Sequence, residues 1–244
     1  MTRFVLLFVF NFPWVFILYF GVKKTTKPGV PLETRYAAVR RAVSVINKKS
    51  RITLKSSGTE KLPEKDGFVL FANHQGRYDG IGIVASSDRP LSFAPDAKRE
   101  NVFPINSVFK ALDAKPIDKT NRKAAYLAIK EIEQAVSEGR NYIIFPEGIY
   151  DNSKHNSLYK FHSGCMRIPL NAKCPIVPVC LYDTYKPYNS KGIGRVTCSI
   201  EYLDPIYYDE YGTMQPKEVA ELVKSRISAA IERFSEGQSP QSAS

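Results

Sequence analysis

His74 and Asp79 stand five positions apart, just past an apolar run, Gly67–Ala72, in the stretch FANHQGRYDG. The loop between them is long enough to turn back and set a carboxylate beside an imidazole. In that arrangement Asp79 accepts the Nδ1 proton, fixes the tautomer and leaves Nε2 as a general base. Serine hydrolases use the same pairing with a serine nucleophile, but no GxSxG elbow occurs in this chain. The hydroxyl to be activated must then come from a substrate. The plainer alternative for the spacing is a surface loop whose aspartate caps a helix. A second carboxylate, Glu147, sits in Phe145-Pro146-Glu147-Gly148 at the end of another short apolar run, Asn141–Phe145. Its plainer alternative is a strand-end carboxylate that caps the following turn.

Such side chains need rigid elements behind them. Arg51–Gly58 and Gly67–Asn73 read as strands, and Asn121–Gly139 reads as a helix with Ala125, Ala128, Ile129, Ile132, Ala135 and Val136 on one face and Gly139 as its stop. Asn141–Phe145, Pro175–Asp183 and Arg195–Leu203 are further strands, and Pro216–Phe234 is an amphipathic helix. The expected fold is therefore α/β, a mostly parallel mixed sheet flanked by helices and preceded by an N-terminal membrane-anchoring helix. Ligands of such sheets collect beyond the carboxyl ends of the strands. If the strands before His74 and Glu147 are parallel, both motifs face one crevice.

At 244 residues the chain holds one sizeable core, and its net charge of +11 favours anionic partners. Cys165, Cys174, Cys180 and Cys198 form no CxxC pair, and His74, His155 and His162 show no metal-ligand spacing. Reduced, mostly buried thiols and no metal site are expected. Phe4–Val22 carries no charge and as a helix would reach about 28 Å, close to a bilayer core. Asn11, Pro13 and Trp14 near its middle favour a kinked, tilted or re-entrant form. A signal peptide is the competing reading, but no small-x-small cleavage site follows the run. The cations after it outnumber Arg3 before it, so a membrane-associated protein with its catalytic domain in the cytoplasm is expected. Thr34–Lys49 reads as a basic amphipathic helix, either on the bilayer surface or packed on the domain. The organisation expected is an anchor or re-entrant helix over 1–24, a basic juxtamembrane helix over 25–50, a catalytic domain over 51–234 and a disordered polar tail over 235–244.

Taken in order, Asn73-His74-x4-Asp79, then Phe145-Pro146-Glu147-Gly148, then Pro175-Ile176-Val177-Pro178-Val179, behind an N-terminal apolar segment, resemble the PlsC-type glycerolipid acyltransferases, the 1-acyl-sn-glycerol-3-phosphate acyltransferase family. The resemblance runs from Phe68 to Tyr182. It implies that His74 and Asp79 are catalytic and that Asn73, Lys119, Arg122, Glu147 and Gly148 bind substrate, with Glu147 on acceptor hydroxyls. Asp118 matches the family's second block, whereas Asp113 stands in place of its glycine and Lys119 in place of its arginine. Ile149 and Tyr150 replace a Thr-Arg pair, and His162-Ser163 stand where many relatives have two lysines. A lysine offers a phosphate a point charge rather than a bidentate fork, so Arg77, Arg122, Lys123, Lys154 and Lys160 are the candidates to compensate.

The reaction implied is transfer of an acyl chain from acyl-CoA or acyl-carrier protein to the sn-2 hydroxyl of 1-acyl-glycerol 3-phosphate, giving phosphatidic acid, with no cofactor. Membrane lipids are expected partners and nucleic acid is not. Other lysolipids or glycerol 3-phosphate as acceptor, an anchored hydrolase, and a membrane-tethered binder of anionic ligands are the alternatives.

Overall fold

The computed structural model describes residues 3–151 and 155–237. Most of the tail expected over 235–244 lies outside these residues, as does Lys154. In chain order the elements are α1 (Arg3–Phe10), α2 (Phe12–Thr25), α3 (Leu32–Lys49), β1 (Ile52–Ser57), β2 (Val69–Ala72), α4 (Asp79–Ser86), β3 (Ser92–Phe93), α5 (Ile105–Ala111), α6 (Arg122–Ser137), β4 (Tyr142–Ile144), α7 (Arg167–Ala172), β5 (Ile176–Tyr182), α8 (Lys186–Asn189), β6 (Val196–Tyr202), α9 (Tyr208–Tyr211) and α10 (Pro216–Ser235).

The strands form one sheet in the order β1-β6-β5-β2-β4-β3. Every neighbouring pair is parallel except β5 with β6. β2 lies between β4 and β5, pairing Phe71 with Ile144 and Ala72 with Val179. All four of its residues are buried, as a strand covered on both faces requires. Alternation divides them between two apolar layers. Val69 and Phe71 join Ile132 and Val136 of α6 and Val219, Val223 and Ile227 of α10 on one side. Leu70 and Ala72 join Val39 of α3, Ile83 and Val84 of α4 and Ala111 of α5 on the other. Because β2 and β4 are parallel neighbours, the loops carrying His74 and Glu147 leave the sheet at the same edge.

The helix over Asn121–Gly139 ends as its sequence implies. Gly139 takes φ +91°, and the N–H groups of Gly139 and Arg140 close back on Val136 and Ala135. The basic helix α3 packs on the domain, burying Tyr36, Val39, Val43 and Asn47.

The N-terminal apolar run is not one continuous helix. It breaks at Asn11, whose side-chain amide donates to the Leu7 carbonyl (2.9 Å), and Pro13 falls in the first turn of α2. Among the described residues no helix is long and apolar enough to cross a membrane. The two short helices instead expose Val9, Phe10, Phe12, Phe16 and Ile17, with Val102 and Phe103 also exposed before α5. The four cysteines are free, and Cys174, Cys180 and Cys198 are buried.

Candidate active site

β2 ends at Ala72, and the next residues continue its alternation without pairing main chain to main chain. Asn73 and Gln75 point to β5. The Asn73 amide donates to the Leu181 carbonyl (2.9 Å) and accepts from the Leu181 N–H (2.7 Å), so a side chain extends the ladder by one rung. Gln75 donates to the same carbonyl (2.9 Å) and to Asn156 Oδ1 (2.7 Å), and its own oxygen accepts from the Thr184 N–H (2.8 Å) and hydroxyl (3.0 Å). Gripped on both sides, the chain presents His74 between them with its ring stacked on Phe145 (4.3 Å between centroids) and edge-on to Tyr150 (4.7 Å).

Asp79 begins α4 and is fully buried. Its Oδ2 lies 2.7 Å from His74 Nδ1 and also accepts the N–H groups of Gln75 (2.5 Å) and Gly76 (2.8 Å). The carboxylate therefore folds the loop around itself and orients the imidazole in one stroke. An Nδ1–H directed at Asp79 leaves the lone pair on Nε2. The capping alternative is not what the structure shows: Asp79 is the first residue of α4 and accepts from N–H groups that precede the helix, and among the described residues no side chain caps α4.

Glu147 is buried, and both its oxygens are taken by main chain, Oε1 by the His74 N–H and Oε2 by the Tyr159 N–H, each at 2.9 Å. Burial raises its pKa above the usual carboxylate range, and those two N–H groups pull it part of the way back. Glu147 and Asn73 were expected to bind substrate. In the structure the Asn73 amide bonds the main chain of Leu181 on β5, and the Glu147 carboxylate bonds the main chain of His74 and Tyr159.

The turn Phe145–Gly148 closes through the Gly148 N–H and the Phe145 carbonyl (3.0 Å), with Gly148 at φ +68°. Lys119 Nζ donates to the Gly148 carbonyl and lies 3.3 Å from Asp96 Oδ2, which places a cation beside this turn. Asp118 shapes the preceding loop by accepting from the N–H (2.8 Å) and hydroxyl (2.6 Å) of Thr120. Arg122 is exposed in the first turn of α6, with Lys123 beside it. Arg77 and Lys160 are exposed as well. Arg99, passed over in the sequence, reaches the Tyr150 hydroxyl (3.2 Å) and so brings a guanidinium to the rim of the His74 site. Nothing in the sequence around Arg99, Asn156, Tyr159 or Thr184 marks them. Gln75 did carry a signal, since alternation in an extended run sets it on the same side as Asn73.

A family model described as Acyltransferase matches residues 53–182, more than half of the chain and all of the loops just described except Thr184. The chain belongs to the acyltransferase family. Similar proteins include the 1-acyl-sn-glycerol-3-phosphate acyltransferase of Escherichia coli strain K12, 27% identical over 165 residues that make up 67% of this chain and 66% of that protein. The acyltransferase of the same name from Salmonella typhimurium is 28% identical over 154 residues, 62% of each chain. A probable 1-acyl-sn-glycerol-3-phosphate acyltransferase of Mycoplasma pneumoniae is 25% identical over 66% of this chain and 61% of its own. The match thus spans 61% and 62% of the length of the Mycoplasma and Salmonella relatives. The crystal structure of the 1-acyl-sn-glycerophosphate acyltransferase PlsC from Thermotoga maritima superposes with a TM-score of 0.76, covering 99% of this chain and 98% of its own. At 18% identity that likeness is one of fold.

Proposed function

We propose that this acyltransferase-family chain moves a fatty acyl group from acyl-CoA or acyl-carrier protein to the sn-2 hydroxyl of 1-acyl-glycerol 3-phosphate, forming phosphatidic acid. The observation that carries the reading is the 2.7 Å contact between His74 Nδ1 and a buried Asp79 carboxylate. Nε2 of His74 takes the proton of the acceptor hydroxyl as its oxygen attacks the thioester carbonyl. The carbon–sulfur bond then breaks, and the imidazolium returns the proton to the departing thiolate. Atoms and charge balance without a covalent enzyme intermediate, and the transfer as written calls for no metal or redox cofactor.

Roles follow from placement. Asp79 holds the tautomer and stabilises the imidazolium, while Asn73, Gln75 and Glu147 hold the main chain of the loop. Lys119, Arg122 and Arg99 are the cations for the acceptor phosphate, with Gly148 leaving room beside Lys119. The names borne by the E. coli and Salmonella relatives support this acceptor. One observation favours a second acceptor class within the same chemistry. Lys119 is already engaged by the Gly148 carbonyl and Asp96, and Ile149-Tyr150 supply no cation, so the phosphate site is weaker in fixed charge than an arginine fork.

We further propose that α1 and α2 seat the protein on a lipid surface, from which both substrates enter, with the catalytic domain on the cytoplasmic side. Exposed Phe10, Phe12, Phe16 and Ile17 supply apolar area, and Lys23, Lys24, Lys48 and Lys49 flank it with charge suited to acidic headgroups. The test of acceptor is a panel assay. Purified protein with a long-chain acyl-CoA, and separately with acyl-carrier protein, is offered lysophosphatidic acid, lysophosphatidylglycerol, lysophosphatidylethanolamine and glycerol 3-phosphate. Highest kcat/KM with lysophosphatidic acid supports the first reading. Preference for a lysolipid lacking a phosphate monoester would replace it with the second.

A further inference from the structure

Arg3 is fully buried at the start of α1. Its guanidinium donates to three main-chain carbonyls, Ser50 (2.6 Å), Pro187 (3.0 Å) and Gly192 (3.2 Å), and its own N–H reaches the Ser190 carbonyl (3.2 Å). Pro187 lies within α8, and Ser190 and Gly192 follow it, so Arg3 satisfies carbonyls at the open end of that single helical turn. Burying a cation is costly unless its donors are filled; here two of the three guanidinium nitrogens fix α1 to α8 and the residues after it, and the third holds Ser50 at the end of α3.

α8 also lies against the catalytic loop. A Cβ on Gly76 would come within 3.3 Å of Asn189 Nδ2 and 3.6 Å of the Tyr185 Cα, so the loop lies close against α8 and the residue that precedes it. Gln75 is held by Thr184, two residues before α8, and the Tyr188 ring meets the buried Tyr78 edge-on at 5.7 Å. Gly76 and Gln75 are also the residues whose N–H groups hold Asp79 Oδ2. α1, meanwhile, carries exposed Val9 and Phe10.

We propose that Arg3 is a positioning residue: it fastens the lipid-facing helix α1 to α8, and α8 braces the loop Asn73–Tyr78, so that seating on a lipid surface tightens the geometry of His74 and Asp79. The inference rests on the membrane seating proposed above. It gives a buried charge that makes no contact with the dyad a reason to be there, and it makes an enzyme of lipid substrates most active where those substrates are.

The experiment reads the loop itself. Hydrogen–deuterium exchange of the segment 73–79 is followed in the full chain with and without vesicles of phosphatidylethanolamine and phosphatidylglycerol, for wild type, Arg3→Ala and Arg3→Lys. Vesicle binding is measured by sedimentation and acyl transfer by product formation. Wild type is expected to exchange more slowly in this segment when vesicles are present. Arg3→Ala should sediment with vesicles as wild type does, lose the vesicle-dependent slowing, and show kcat lower by about one to two orders of magnitude with KM for the acyl donor unchanged. Arg3→Lys, which keeps a cation that can reach fewer carbonyls, should recover part of both effects and serves if the alanine variant does not fold. Unaltered exchange in wild type on adding vesicles, vesicle-dependent slowing preserved in Arg3→Ala, or loss of vesicle binding by Arg3→Ala would each overturn the inference. Exchange that responds to vesicles through Arg3 in a protein that transfers no acyl group would instead overturn the functional reading and leave this coupling standing.

Discussion

Glu147 shows how one buried side chain governs another through the backbone. Its two oxygens each accept one main-chain N–H, from His74 and Tyr159. Glu147→Gln supplies only one acceptor and turns an N–H toward a second N–H, which should cost about 1–3 kcal/mol for the buried group left unpaired. A fall in denaturation midpoint together with a fall in kcat, at unchanged KM for the acceptor, is the expected result. A rise in acceptor KM alone would return Glu147 to the acceptor-binding role that the family resemblance implies. At this scale the dyad was legible because its partners lie five residues apart and the loop can close on itself. The jobs of Asn73 and Glu147 were not, since a side chain that binds a ligand and one that binds a strand look alike until the burial around them is known. Arg99 was hidden for a different reason: it is brought to the site by the path of the loop between β3 and α5.

Among the elements, those with a clear apolar run or periodicity were readable, whatever their length. β2, β4, β5, α6 and α10 fall on the stretches whose apolar spacing announces them. α4 does not, because Gly80 and Gly82 lower its helix propensity. Both glycines are there for contact: a Cβ would come within 2.6 Å of the Phe93 ring at Gly80 and 2.9 Å of the Tyr78 ring at Gly82. The helix that presents Asp79 is thus one whose packing overrides its local preference. The order of the strands was likewise beyond periodicity, which reports that a strand exists but not which neighbour it finds. The join between β2 and β5 gives the test at this scale. Asn73→Ala removes both bonds to Leu181 and orphans its buried N–H, while the carbonyl keeps its bond from Gln75, so unfolding free energy should drop by about 1–3 kcal/mol. Activity should fall through kcat, and a stability indistinguishable from wild type would show that the amide does not bear on the strand end.

Over the whole molecule, the basic charge and the apolar N-terminus meet on α1, α2 and α3. Trp14, the chain's one tryptophan, lies on α2 with Lys49 Nζ 4.3 Å from its ring centroid. Its emission should shift to the blue on adding vesicles rich in phosphatidylglycerol, and less so as salt is raised; emission indifferent to vesicles would remove the lipid surface from the account. α3 is tied to the core by charge as well as by Val39 and Val43. Asp113 takes a bidentate contact from Arg35 (2.5 and 2.7 Å) and a third from Arg140 (3.0 Å), and the Arg35 hydrogen bond is the main cause of its lowered pKa. A carboxylate lowered on folding adds stability that is complete above its ordinary pKa of 3.8 and is lost as pH falls through the folded value. Asp113→Asn should therefore lower stability at neutral pH and flatten the acid limb of stability against pH, as followed by denaturation midpoints from pH 7 downward; parallel curves would contradict it. The central claim concerns His74, and the most direct measurement of it is phosphatidic acid formed from a long-chain acyl-CoA and lysophosphatidic acid by wild type and by His74→Ala in the same vesicles. The account predicts transfer by wild type and a loss of about two to four orders of magnitude in kcat for the variant, and equal rates in a folded His74→Ala protein would contradict it.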